Sequence, residues 1–196
     1  MKKVLPGRTS AQLPNTETAT FGSQPAAEPI VVFHFGIKIN HALGWLAPGA
    51  KTTLDHFTAC NDLIISRAHE YGMLGMSPWR GGERGSNNTL MMVYYFRDVE
   101  ALNKFAHGDL HRKAWDWIVK AGYMHIGFFH EAFCVPRGAY ESIYVNCQPL
   151  LMGQTSVKCV DGDGGEEVWV RPIVDADTGA LRSQFGRMGR AFKEHI

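Results

Sequence analysis

The sequence predicts an α+β fold, a ferredoxin-like sandwich, from three observations. Short runs rich in β-branched and aromatic residues alternate with segments of helical period, in the order β-α-β-β-α-β. Strands in that order close as a four-stranded antiparallel sheet with both helices on one face. The chain also has the apolar material for one core, with 45% hydrophobic residues over 196 positions.

Residues 1–28 are rich in Pro, Thr, Ser and Ala and lack a hydrophobic period. They read as a mobile arm or a segment draped over a partner subunit. The core domain is expected over 29–157. It opens with "PIVVFHFGIKIN", a strand buried on both faces over Ile30 to Ile39. A Gly/Pro loop leads to a cap-like Thr52, and Leu54, Phe57, Asn61, Ile64, Ile65 and Ala68 then recur with helical spacing, with one polar interruption. Gly72 is placed to stop this helix. "GMLGMSPWRG" predicts a short irregular strand and "GGERGSNN" a turn, and Thr89 to Phe96 predicts a third strand. Asp98 caps a short helix, Val99 to His107; Gly108 breaks it, and Asp109 starts another over Leu110 to Ala121. A strand from Met124 to Val135 and a turn at Pro136 to Gly138 precede a final strand, Tyr140 to Cys147. Residues 158–196 predict a hairpin around a Gly/Asp turn and a wrapping tail, with too little apolar material for a separate core.

The charge balance, 20 basic against 19 acidic residues, gives a net charge of +1 and no field to attract nucleic acid. No apolar window approaches a membrane span of roughly 18 residues, and "MKKVLPGRTS" has no continuous apolar h-region. A cytoplasmic protein is expected. Cys60, Cys134, Cys147 and Cys159 are widely spaced and read as free thiols.

Chemistry concentrates in "MHIGFFHEAFCVPRGAYESIY", where imidazoles and a carboxylate interrupt an apolar strand. Alternation points His130 with Met124, Ile126 and Phe128, and Glu131 with His125 and Phe133 on the other side. The face bearing His130 then meets a pocket under the helices, or holds a satisfied core histidine. The far face needs a second subunit to cover it, which implies a homodimer whose sheets pack as a barrel. His111 opens the second helix one turn before Trp115, so both lie on one side of it. Glu131 is a general base if burial raises its pKa, or otherwise an interface ion-pair partner, as with Arg137. Tyr140, Ser142, Tyr144 and Asn146 share one face of the last strand, with Glu141 opposite; such a row orients an oxygenated ligand or ties subunits together. His107 and His111 have metal-like spacing but lack a third ligand in register, so no metal is expected.

The runs "YYFRDVEALNKFAHGDLHRKAWDWI" and "HIGFFHEAFCVPRGAYESIYVNCQP" resemble the antibiotic-biosynthesis-monooxygenase-like family of fungal and bacterial secondary metabolism. The likeness covers roughly residues 30 to 157. It implies a dimeric α+β barrel and the oxidative tailoring of terpenoids or polyketides. By matching position it points to His111, His130, Glu131, Tyr140, Glu141 and Tyr144.

Three functions follow. One is a monooxygenase-like enzyme or isomerase that needs no tightly held cofactor. There His130, Glu131 and His111 are the acid/base candidates, and Tyr140, Tyr144, Asn146, Trp115, Tyr95, Phe128 and Glu141 surround a hydrophobic substrate. Another is a haem enzyme of the aldoxime-dehydratase type, with His111 or His130 as axial ligand. The third is a non-catalytic carrier of a hydrophobic metabolite.

Overall fold

In the computed structural model, residues 4–160 and 165–190 are described. β1 spans Leu5–Ala11, β2 Ile30–Ile39, α1 Ala50–Ser66, β3 Met73–Arg80, β4 Thr89–Phe96, α2 Val99–Ala106, α3 Asp109–Ala121 and β5 Ile126–Val135. β6 (Tyr144–Cys147), β7 (Val157–Val160), β8 (Glu167–Val170), β9 (Ile173–Asp175) and the short α4 (Gln184–Arg187) follow.

β2 pairs antiparallel with β4 on one side and β5 on the other, and β3 extends the sheet beyond β4. The order β3-β4-β2-β5 is the ferredoxin-like arrangement expected from the β-α-β-β-α-β sequence. Alternation sends Val31, Phe33, Phe35, Ile37 and Ile39 of β2 toward the helices. There Val31 joins Met92, Tyr94, Phe96 and Ile64, while Ile37 and Ile39 pack with Ala50 and Ile126. β3 is irregular as predicted, with a register shift between Met73 and Gly75.

Helix starts follow local chemistry. Asp98 caps α2 by accepting the Ala101 N–H at 2.6 Å. α1 begins two residues before the expected Thr52, behind Gly49 in the left-handed region and with no side-chain cap. α3 ends where Gly122 adopts φ +62°.

The structure corrects the reading of the chain's first residues. The expected arm contains β1, the middle strand of a second sheet ordered β6-β1-β9. Ser10, Ala11 and Gln12 are buried there. The last predicted strand is likewise shorter: only Tyr144–Cys147 is extended, and it pairs with β1 rather than with the main sheet. β7 and β8 form the predicted hairpin, whose tip residues 161–164 lie outside the described residues.

These additions also correct the expectation for the far face of the main sheet. Part of that face is covered by this same chain: Ile30, Leu74, Val93 and Tyr95 pack with Ala11, Met152, Val157 and Cys159. The remainder, toward β5, stays open, with Phe129 and Phe133 40% and 47% exposed. Phe129 lies directly over Gly36 of the neighbouring strand, where any β-carbon would occupy the ring's place. No helix among the described residues is long and apolar enough to cross a membrane.

Candidate functional site on the helix side of the sheet

Three strands, β2, β4 and β5, present a shallow aromatic cleft beside α1 and α3. Its floor is Phe33, Phe35, Tyr94, Phe128 and His130. Phe35 stacks on Phe57 of α1 at 5.7 Å between ring centroids and meets Phe128 at 6.4 Å. Phe33 lies between Tyr94 (6.0 Å) and His130 (5.6 Å). His130 is thus the one imidazole that the four strands place on the helix side. Its carrier, β5, is an edge strand paired only with β2.

α3 leaves the cleft open above it. Only Ala114 of that helix is buried, and its aromatic contacts go to its neighbours: Trp117 to His56 of α1 at 4.9 Å, and His111 to Phe105 of α2 at 5.6 Å. His130, Ala132 and Cys134 are consequently exposed on the helix side. The imidazole thus stands at the open end of a trough of half-buried aromatic rings.

Beneath the roof, the Tyr94 hydroxyl donates to Asn61 Oδ1 at 2.7 Å, and Asn61 Nδ2 donates to the Phe57 carbonyl at 3.0 Å. Asn61 is the polar interruption in the α1 period, and Tyr94 is its reason: a buried phenol needs an acceptor. Burial, chiefly, drives the Tyr94 phenol far above its ordinary range, so it remains a neutral donor. The pair was invisible in the sequence because its members lie 33 positions apart.

The remaining expected site residues divide sharply. Phe128 shares the His130 face. His111 reaches the helix layer, where burial lowers its pKa, opposed by a hydrogen bond with the Ala106 backbone. Trp115 is 54% exposed on the outside of α3. Glu131 points to the far face, as alternation requires; its partner is His34 directly across the strand pair, at 3.8 Å, rather than Arg137. Tyr95 is buried on that far face beside Met152.

Tyr140, Glu141, Tyr144 and Asn146 lie away from the cleft because β6 belongs to the second sheet. The Tyr140 hydroxyl donates to the Glu28 carbonyl at 3.0 Å, and the Tyr144 oxygen accepts the Gly153 N–H at 3.1 Å. Asn146 Oδ1 accepts the Gly7 N–H at 2.9 Å. Glu141 accepts from Arg187 Nε at 2.6 Å, and that guanidinium also caps the Leu181 and Arg182 carbonyls. Tyr140, Glu141 and Asn146 thus tie down terminal segments, and Tyr144 holds the turn at Gly153.

A ferredoxin-like sheet with one imidazole at the edge of an aromatic cleft defines a small α+β protein. The chain belongs to the monooxygenase af470-like family, whose pattern matches residues 30–152. It is 43% identical over 190 residues to monooxygenase af470 of Aspergillus fumigatus, covering 97% of this chain and 69% of that protein. Among solved structures it is similar to aldoxime dehydratase in complex with butyraldoxime, with a TM-score of 0.53 and 13% identity over 76% of this chain and 40% of that one. A second aldoxime dehydratase structure gives 0.50 and 15%, over 72% and 43%. Identities this low establish the fold alone. The chain spans about two fifths of these dehydratases' length.

Proposed function

We propose that the chain is a monooxygenase that oxidises a hydrophobic secondary metabolite, a terpenoid or polyketide, in the sheet–helix cleft without a tightly held cofactor. The observation that carries this reading is His130, set against Phe33 at the open end of an aromatic trough. The name of the Aspergillus fumigatus relative supports it.

A substrate with an acidic methylene would lie against Phe33, Phe35 and Phe128 with that carbon facing the imidazole. His130 accepts a proton, and the electron-rich carbanion reacts with dioxygen. The methylene becomes a carbonyl as it loses two hydrogens and gains one oxygen atom, and the second oxygen atom leaves as water. The substrate therefore supplies all four electrons. Apolar walls favour the spread-out carbanion, and the edge position of β5 lets the imidazole return its proton to solvent.

The protein is further proposed to act as a homodimer and in the cytoplasm. The support for the dimer is the apolar strip at Phe129 and Phe133, which the described residues of the terminal segments leave open.

The test is turnover of an anthrone-type or terpenoid methylene substrate under oxygen by wild type and by His130→Ala. The variant is expected to fold and to lose roughly 10²–10⁴-fold in rate. Purified protein is expected to lack a Soret band. Unchanged turnover in His130→Ala, or a Soret band that this variant abolishes, would overturn the reading.

A further inference from the structure

Away from the cleft, two adjoining cavities open where residues 12–28 meet the C-terminal tail. One, of about 250 Å³, has an apolar wall of Leu13, Phe21, Tyr140, Val174 and Leu181. The other, of about 320 Å³, is bounded by Arg137, Gly138, Met188 and Arg190. Gln24, Ala26 and Ala27 border both, so the two form one groove, and their volumes suit a small organic ligand.

The groove is built rather than incidental. Gly138 N–H donates to the Ala26 carbonyl at 3.0 Å, and Gln24 Nε2 donates to the Gly189 carbonyl at 3.2 Å. Gly138 and Gly189 both lie in the left-handed region, at φ +67° and +65°. The buried Arg187–Glu141 pair pins the tail that forms one wall.

Its charges are laid out along its length. Neither Arg137 nor Arg190 meets a carboxylate among the described residues. A methyl group built on Gly138 would sit 3.8 Å from Arg190 Nε, so the second guanidinium lies over the residue next to Arg137. Glu28 lines the apolar chamber instead. With burial, its charge pushes the Tyr140 phenol up to about 12. An anionic head is repelled at that end and attracted at the other.

We propose that this groove binds an amphipathic carboxylate, with its apolar body between Phe21, Tyr140 and Leu181 and its carboxylate between Arg137 and Arg190. Guanidinium groups match a planar carboxylate through paired N–H donors. The site is separate from the cleft at His130 and does not rest on the activity proposed there.

Calorimetric titration of the intact chain with decanoate, below its micelle concentration, and with neutral decanol tests the assignment. Decanoate is expected to bind at least about tenfold more tightly than decanol at low salt, a margin typical of charge-assisted hydrogen bonds, and to lose that margin in high salt. Arg137→Gln/Arg190→Gln is expected to abolish the preference and leave decanol unchanged. Ala27→Trp, which fills the junction of the cavities, is expected to weaken both ligands. His130→Ala is expected to keep the wild-type decanoate affinity. Equal binding of the two probes by wild type, or no saturable binding, would overturn the proposal, as would loss of decanoate binding in His130→Ala. The wild-type salt dependence decides the matter should the double variant fail to fold.

Discussion

Asn61 shows how a single residue can be legible as an anomaly while its purpose is not. An amide on the apolar stripe of a helix announces a buried partner. Naming Tyr94 requires the packing of α1 on β4, which no local pattern encodes. Tyr94→Phe leaves Asn61 Oδ1 without its donor, and urea unfolding is expected to show a loss of about 1–3 kcal/mol. Among the imidazoles, sequence alternation placed His130 and Glu131 on opposite faces, and the register with Phe35 and His34 bears that out. His111 has a different signature. Burial lowers its pKa below the ordinary 6.5, so the unfolded chain takes up the proton more readily than the folded one. Its contribution to stability is complete above pH 6.5 and is lost as pH falls through the folded value. His111→Gln is expected to flatten the decline of the urea midpoint between pH 7 and pH 5.

At the scale of elements, the strands with a strong apolar signal were readable. Ile30 to Ile39 and Thr89 to Phe96 were predicted with the bounds the structure shows. The strands that escaped are those whose partners are remote. β1 reads "LPGRTSA", with a proline, a glycine and small polar residues; it is a strand because Thr9 and Ser10 pair with Asp175 and Val174, and Thr9 also pairs with Tyr144. The pairing of Glu141 escaped in the same way. Its partner Arg187 lies in α4, a helix of four residues too short to carry a periodic signal. With Arg187 almost wholly buried, Arg187→Met strands a half-buried carboxylate. The cost is expected near 3 kcal/mol, the low end for a broken buried pair because Glu141 keeps some access to water. Limited proteolysis of the variant is expected to cut first around residues 178–190.

For the whole molecule, the ferredoxin-like frame was readable from element order alone, and the wrapping by terminal segments was not. Composition marked residues 1–28 as poor in apolar side chains, and nothing local revealed that their value is in backbone pairing. The wrapping also narrows where a second copy can dock. Phe133 on β5 is the apolar centre of the open part of the far face, beside His34 at 5.6 Å. Phe133→Glu places a carboxylate next to Glu131 and in the path of a twin sheet. Sedimentation velocity is expected to show a dimer for wild type and a monomer for this variant, with unchanged circular dichroism; identical sedimentation of the two would remove this strip as the contact.

β1 finally sets an order of events. It leaves the ribosome before every other strand described here, yet its neighbours on the two flanks are β6 and β9, more than a hundred residues later in translation. β6 and β9 each pair with it and not with one another. The four-stranded frame can assemble from contacts nearer in sequence, whereas this clasp must wait for synthesis of Asp175, its ladder groups hydrated in the interval. Maturation thus finishes at the strand synthesised earliest among those described.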